Sequence, residues 1–264
     1  MPTALVTGAS SGIGQSTALA LAQAGLHVVA AGRSASRIQP VIASITSDGG
    51  SAEFLELDLS SFASIRSAAG RIAESGRALD VLVNNAGIGV NRRGRTEDGF
   101  EVHFGINYLG HFLLTNLIRP AFRPGTRIVS VASSARFRAK GMDFNKVRKG
   151  TSLAGYAEYA VSKLANILFT RELARRQPDW NTYAVHPGLV DTPLIPWPVR
   201  SLMGRNLLRP HQGADTVVWC ATSNEVADHS GHYYQRRGIA PPSPVAQDDD
   251  LARELWDRSE EWCG

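Results

Sequence analysis

Short runs rich in Val, Leu, Ile and Ala alternate with segments at helical spacing, and this alternation constrains the fold more than any other feature of the chain. "TALVTG" is followed by "GQSTALALAQAG", "HVVAAG" by "SRIQPVIASITSDG", and "AEFLELDL" by "FASIRSAAGRIAESG". "LDVLVNNAG" precedes a polar loop and a helical run from about Glu97 to Arg119. "TRIVSVASSA" leads to "YAVSKLANILF", "NTYAVHPG" to "GADTVVWCATS", and "GHYYQ" is a last short strand. Strands joined through helices pair in parallel, and strands apolar on both faces need helices on both. The pattern predicts a single α/β domain over 1–264: a doubly wound, mainly parallel sheet of about seven strands with right-handed crossovers.

Two inserts break the rhythm, at about 135–155 and 189–210. Loops that long in a compact domain are commonly lids. The C-terminal "LARELWDRSEEWCG" reads as an amphipathic helix with Leu251, Leu255 and Trp256 facing inward.

Composition narrows the partners. The 264 residues are 43% hydrophobic and 20% charged, with a formal net charge of +4. That small excess is spread along the chain, whereas nucleic-acid binding needs basic residues clustered on one face. The basic stretches "NRRGR" and "RFRAKGMDFNKVRK" read as solvated loops. The two cysteines, Cys220 and Cys263, have no metal-site spacing, so no metal is expected and a reducing compartment is. No signal peptide is recognised and no apolar run nears the roughly 20 residues that span a bilayer. A cytoplasmic protein without membrane attachment is the expectation.

Between the first strand and first helix lies "TGASSGIG", Thr7–Gly14. Glycines at 8, 12 and 14 permit a tight turn and close approach to a pyrophosphate, and the helix behind supplies free N–H groups. A dinucleotide site is the expected use. The second strand ends at Gly32 and Arg33, where a NAD-specific site usually carries an acidic side chain on the ribose hydroxyl. Arg33, assisted by Arg37, suits a 2′-phosphate instead. NADP(H) is therefore the expected preference, with NAD(H) still usable.

The GxxxGxG spacing, "LDL" at 57–59, "NNAG" at 84–87, Ser133, "YAVSK" at 159–163 and "HPG" at 186–188 fall in order at strand ends. Together they resemble the short-chain dehydrogenase/reductase family. "TEDGFEVHFGINYLGHFLLT", "SKLANILFTREL" and "LARELWDRSEEW" are similar to its retinol-dehydrogenase-like branch, in a soluble, bacterial-type form. The resemblance implies a nicotinamide-dependent oxidoreductase, a ketoreductase or alcohol dehydrogenase. It implies that Gly8, Ser10, Ser11, Gly12, Ile13 and Gly14 cradle the cofactor, that Asp58 and Leu59 meet the adenine, and that Asn85, Ala86 and Gly87 pass its ribose. Pro187, Gly188, Val190 and Thr192 then lie toward the nicotinamide. Asn84 either joins this set or ties neighbouring strands together.

Reducing a carbonyl takes a hydride and a proton. Tyrosine titrates near 10, so serving as an acid near neutrality requires a stabilised phenolate. Tyr159 and Lys163 are one helical turn apart on one face, and Lys163 is expected to lower the pKa of Tyr159 and to hold the cofactor ribose. By resemblance, Ser133 holds the substrate oxygen, with Ser134 the alternative, and Asn107 holds a water linking Lys163 to solvent. The inserts would enclose a hydrophobic ketone, aldehyde or secondary alcohol among Phe137, Met142, Phe144, Leu194, Ile195, Pro196 and Trp197. Arg136, Arg138 and Lys140 would attract an acidic substrate or simply face solvent. The competing reading is a non-catalytic NADP(H)-binding sensor, and a homodimer or homotetramer fits the family's habits.

Overall fold

The switch point of a sheet is where two strands diverge from one starting edge, and here it lies between the first and fourth strands. In the computed structural model, β1 (Thr3–Thr7), β2 (His27–Gly32) and β3 (Ser51–Glu56) form one half of the sheet. β4 (Leu79–Asn84), β5 (Phe122–Val131), β6 (Asn181–His186), β7 (His232–Gln235) and β8 (Gly238–Ile239) form the other. The order is β3-β2-β1-β4-β5-β6-β7-β8. The structure describes residues 1–264 apart from 91, 136–138, 153–154, 193–200, 202–203 and 205–206. Arg136, Phe137, Arg138, Leu194, Ile195, Pro196 and Trp197 thus lie outside the described residues.

The expected seven strands become eight. β8 pairs antiparallel with β7. The two-residue turn between them holds Arg236 and Arg237 at φ of 52° and 56°. A hairpin turn of this kind is normally signalled by Asn or Gly, and two arginines hide it.

The helices are α1 (Gly12–Gln23), α2 (Ala35–Ser47), α3 (Phe62–Glu74), α4 (Val102–Phe104), α5 (Gly110–Leu117), α6 (Tyr156–Arg176), α7 (Pro210–Thr222) and α8 (Asp249–Cys263). A π-helical turn, Gly105–Leu109, joins α4 to α5. The helix expected from about Glu97 starts only at Val102, because the Glu101 carboxylate caps the amides of His103 and Phe104.

Two apolar layers flank the sheet. Leu21, Ile38 and Val217 bring α1, α2 and α7 to one face. Ile65, Phe112, Leu168 and Leu255 bring α3, α5, α6 and α8 to the other. Leu255 and Trp256 are buried as expected, and Leu251 packs partly buried beside them. Burial of both faces explains the near-continuous apolar strands. Among the described residues, no helix is long and apolar enough to cross a membrane, and no three His, Cys, Asp or Glu side chains form a metal cluster.

Candidate active site

Residues at the carboxyl ends of β1, β2, β4, β5 and β6 line a cleft of about 340 Å³. The glycine turn forms one end. Gly8 takes φ +68°, and a side chain on Gly14 would strike the Gly8 carbonyl and the Asn85 amide. Gly14 is thus required by packing of the turn against the 84–87 segment. Among the described residues no side chain caps the start of α1, so its N-terminal end can receive an anion. This is a fit for a pyrophosphate. Ser10, Ser11, Gly12 and Ile13 line the same end, and Thr192 lies beside the turn, 3.2 Å from where a Gly12 Cβ would stand.

Arg33 and Arg37 stand exposed at the rim past β2. Asp58 Oδ1 accepts from the Ser60 amide (2.9 Å) and hydroxyl (2.7 Å), which orients the carboxylate beside Leu59. Asn85, Ala86, Gly87, Pro187, Gly188 and Val190 all line the cleft. Asn84 does not. Its amide donates to Thr115 Oγ1 at 3.1 Å, so it ties β4 to α5 rather than strand to strand.

Ser133, Tyr159 and Lys163 converge at the far end. Ser133 hydrogen-bonds Tyr159, whereas Ser134 does not line the cleft. Lys163 is 3% exposed, and its ammonium donates to the Val131 carbonyl at 2.8 Å. Burial lowers its pKa to about 8. Lys163, the cation expected to ease ionisation of Tyr159, works here against a stronger influence. Burial is the dominant influence on the phenol and raises its pKa, with the Ser133 hydrogen bond working the other way. Lys163 Nζ stands 5.9 Å from the Tyr159 ring centroid and directs its hydrogen bond to the backbone.

Asn107 sits behind the cleft wall, in the π-helical turn. Its Oδ1 accepts from the Ile88 amide (2.8 Å), and its Nδ2 donates to Ser162 Oγ (3.0 Å) and to the Ile88 carbonyl (3.2 Å). These bonds fix the side-chain amide against the 88 segment and α6. A Cβ on Gly87 would lie 3.0 Å from Asn107 Oδ1 and 3.8 Å from Lys163 Nζ, so Asn107 carries this segment toward the lysine.

Two residues absent from the sequence reading complete the frame. Thr7 Oγ1 accepts the amides of Asn85 (3.0 Å) and Ala86 (2.9 Å) and lies 2.9 Å from His111 Nε2. His111 Nδ1 is 3.2 Å from the Asn107 carbonyl, which can only accept. Nδ1 then carries the proton, and the single hydrogen of the Thr7 hydroxyl is shared between His111 Nε2 and the Val83 carbonyl, 3.2 Å away. Burial agrees, lowering the His111 pKa to about 3 and keeping it neutral. His111 follows Asn107 by one turn, and that spacing was the only signal available. Met142 and Phe144, expected beside the substrate, instead pack on the core layer that contains α8, with Phe144 against Trp262.

A family model described as short chain dehydrogenase matches residues 2–196. Polyprenol dehydrogenase of Mus musculus is 41% identical over 273 residues, covering 96% of this chain and 81% of that protein. Retinol dehydrogenase 11 of Homo sapiens is 40% identical over 270 residues, covering 97% and 83%. The crystal structure of a short chain dehydrogenase from Burkholderia cenocepacia in complex with NADP is similar at a TM-score of 0.72 and 31% identity, covering 88% of this chain and 94% of that one.

Proposed function

The chain belongs to the short chain dehydrogenase family, in its retinol-dehydrogenase-like branch, and is an NAD(P)-dependent dehydrogenase/reductase; from that premise we propose that it prefers NADPH and interconverts a hydrophobic ketone or aldehyde with the corresponding alcohol. The observation that carries this reading is the meeting of Ser133, Tyr159 and Lys163 at one end of a cleft whose other end is the glycine turn. The nicotinamide, when bound, supplies or receives the hydride. Gly8 to Gly14, Arg33, Asp58 and Asn85 to Gly87 would hold its adenosine and phosphate parts, and Pro187, Gly188, Val190 and Thr192 would lie toward its nicotinamide.

The protein's share is the proton. Tyr159 gives its phenolic proton to the carbonyl oxygen, and Ser133, already bonded to Tyr159, holds the same oxygen. Lys163 provides the positive charge that makes ionisation of Tyr159 tolerable. Asn107 positions the 87–88 segment against this group. Ile88, Ile106 and Leu189 give the cleft wall apolar surface. The names polyprenol dehydrogenase and retinol dehydrogenase support an apolar alcohol or its carbonyl as substrate.

The test follows NADPH absorbance with a panel of hydrophobic ketones and aldehydes. Tyr159→Phe should lower kcat by about 10²–10⁴, the usual contribution of a positioned acid, while NADPH still binds by fluorescence titration. Near-wild-type turnover in that variant overturns the mechanism. NADPH binding without turnover of any compound favours the sensor reading.

A further inference from the structure

Glu101 and His103, at the start of α4, are 2% and 0% exposed. Glu101 Oε2 accepts the amides of His103 and Phe104, each at 2.9 Å. Glu101 Oε1 accepts the Thr151 hydroxyl at 2.6 Å and faces His103 Nδ1 at 2.8 Å. Burial opposes ionisation of this carboxyl, yet the bonds from His103, Thr151 and Phe104 outweigh it and lower its pKa. Glu101 is a carboxylate, able only to accept. The other ring nitrogen of His103, Nε2, is 3.0 Å from the Gly89 carbonyl, which also only accepts. A neutral imidazole has one N–H and would meet one of these acceptors with a lone pair. The imidazolium satisfies both.

That cation lies against the proposed proton donor. The His103 and Tyr159 rings meet edge-on, centroids 6.3 Å apart at 81°. Lys163 Nζ is 5.9 Å from the same phenol ring. His103 Cε1 also lies directly beneath Gly155, where a Cβ would come within 2.9 Å. Gly155 precedes α6, and its carbonyl accepts the Tyr159 amide at 3.0 Å. One ring therefore touches the 87–89 segment through Gly89, the insert through Glu101 and Thr151, and the catalytic helix through Gly155 and Tyr159.

We propose that His103 is a positioning residue for Tyr159: Glu101 holds it as a buried imidazolium, which fixes the phenol ring and places a second positive charge beside it. The proposal rests on Tyr159 as the proton donor. The titratable groups around the joint are Glu101 and His103 at the α4 end, and Tyr156, Tyr159 and Lys163 on α6. Ser133 brings a hydroxyl after β5, while the 85–89 segment and Thr151 bring backbone groups, an amide and a hydroxyl. A neighbouring cation favours the phenolate, so removing it moves the Tyr159 titration upward.

Two measurements that do not depend on turnover test this. Nitrogen-15 NMR of histidine-labelled wild-type protein at pH 7.5 should show both His103 ring nitrogens protonated, and a neutral tautomer overturns the proposal. Ultraviolet titration of the Tyr159 phenol, taken as wild type minus Tyr159→Phe, should move up by about one pH unit in His103→Gln, within the range a nearby charge produces. An unmoved titration overturns it. The basic limb of alcohol oxidation should shift equally, with the KM for NADP⁺ nearly unchanged. Should His103→Gln not fold, the wild-type nitrogen spectrum decides. If Tyr159→Phe keeps its turnover, the proton-donor reading falls, while the nitrogen and phenol titrations still judge His103.

Discussion

Arg33 follows the last residue of β2, exposed at the cleft rim, and Gly32 beside it offers no carboxylate. A Cβ at position 32 would lie 2.9 Å from Ile38 Cδ1, so a side chain there would have to move the end of Ile38. A charged hydrogen bond from guanidinium to phosphate is worth about 1.5–3 kcal/mol, so Arg33→Asp should cut the NADPH/NADH ratio of kcat/KM by at least about tenfold. An unchanged ratio removes Arg33 from cofactor choice. Lys163 carries a different prediction. Its pKa falls from 10.5 unfolded to about 8 in the fold, so the unfolded chain holds more protons between those values. Stability contributed at this site therefore rises with pH from about 8 to 10.5, and the full penalty applies below 8. Lys163→Met should be more stable than wild type at pH 7 by up to about 3.5 kcal/mol, taking about 1.4 kcal/mol per pH unit. Urea denaturation should show the gap closing by pH 10.5. Tyr159 and Lys163 were legible because one helix fixes their spacing. Thr7 and His111 are 104 residues apart, and no local pattern announces that they touch.

Elements set the precision of the site. α1 and its glycines are legible in the sequence because strand, turn and helix are contiguous. The pattern of the central helix extends back to about Glu97, while the true cap is Glu101, whose carboxylate also serves His103. The π-helical turn was invisible, since its extra residue shows only when Asn107 is seen bonded to Ile88 and Ser162. Two glycine substitutions separate element from site. Gly14→Ala drives a methyl into the Gly8 carbonyl and the Asn85 amide, so the turn must part from the 84–87 segment. Tm should fall, and NADPH affinity should weaken by about tenfold or more, the scale of one lost hydrogen bond to a charged group. Gly70 lies mid-α3 with open space around its missing Cβ. Gly70→Ala should add about 0.5–1 kcal/mol by helix propensity alone, with kinetics unchanged. Equal affinity loss in both variants would refute the close-packing account of Gly14.

At the scale of the molecule, the parallel sheet was readable from alternation, but the role of the C-terminal helix was not. Period alone placed Leu255 and Trp256 inward without naming what they meet. Trp256 meets Phe112 of α5 at 5.0 Å and Phe169 of α6 at 5.9 Å between ring centroids, and Arg176 lies over its ring at 4.8 Å. Among the described residues its indole nitrogen has no hydrogen-bond partner, so packing and the cation are what hold it. Phe112 and Phe169 are 1% and 3% exposed. Two copies pairing through these rings would first have to displace α8. Trp256→Ala should cost about 3–5 kcal/mol, as large-to-small core changes do, and lower Tm by roughly 6–20 °C at about 2–4 °C per kcal/mol. The same change uncovers Phe112 and Phe169 as an apolar patch, so sedimentation should show the variant self-associating as concentration rises. Trp256→Phe should keep most of the stability and stay at the wild-type association state. A Trp256→Ala protein within about 1 kcal/mol of wild type would mean that α8 rests on the α5–α6 face without holding it closed.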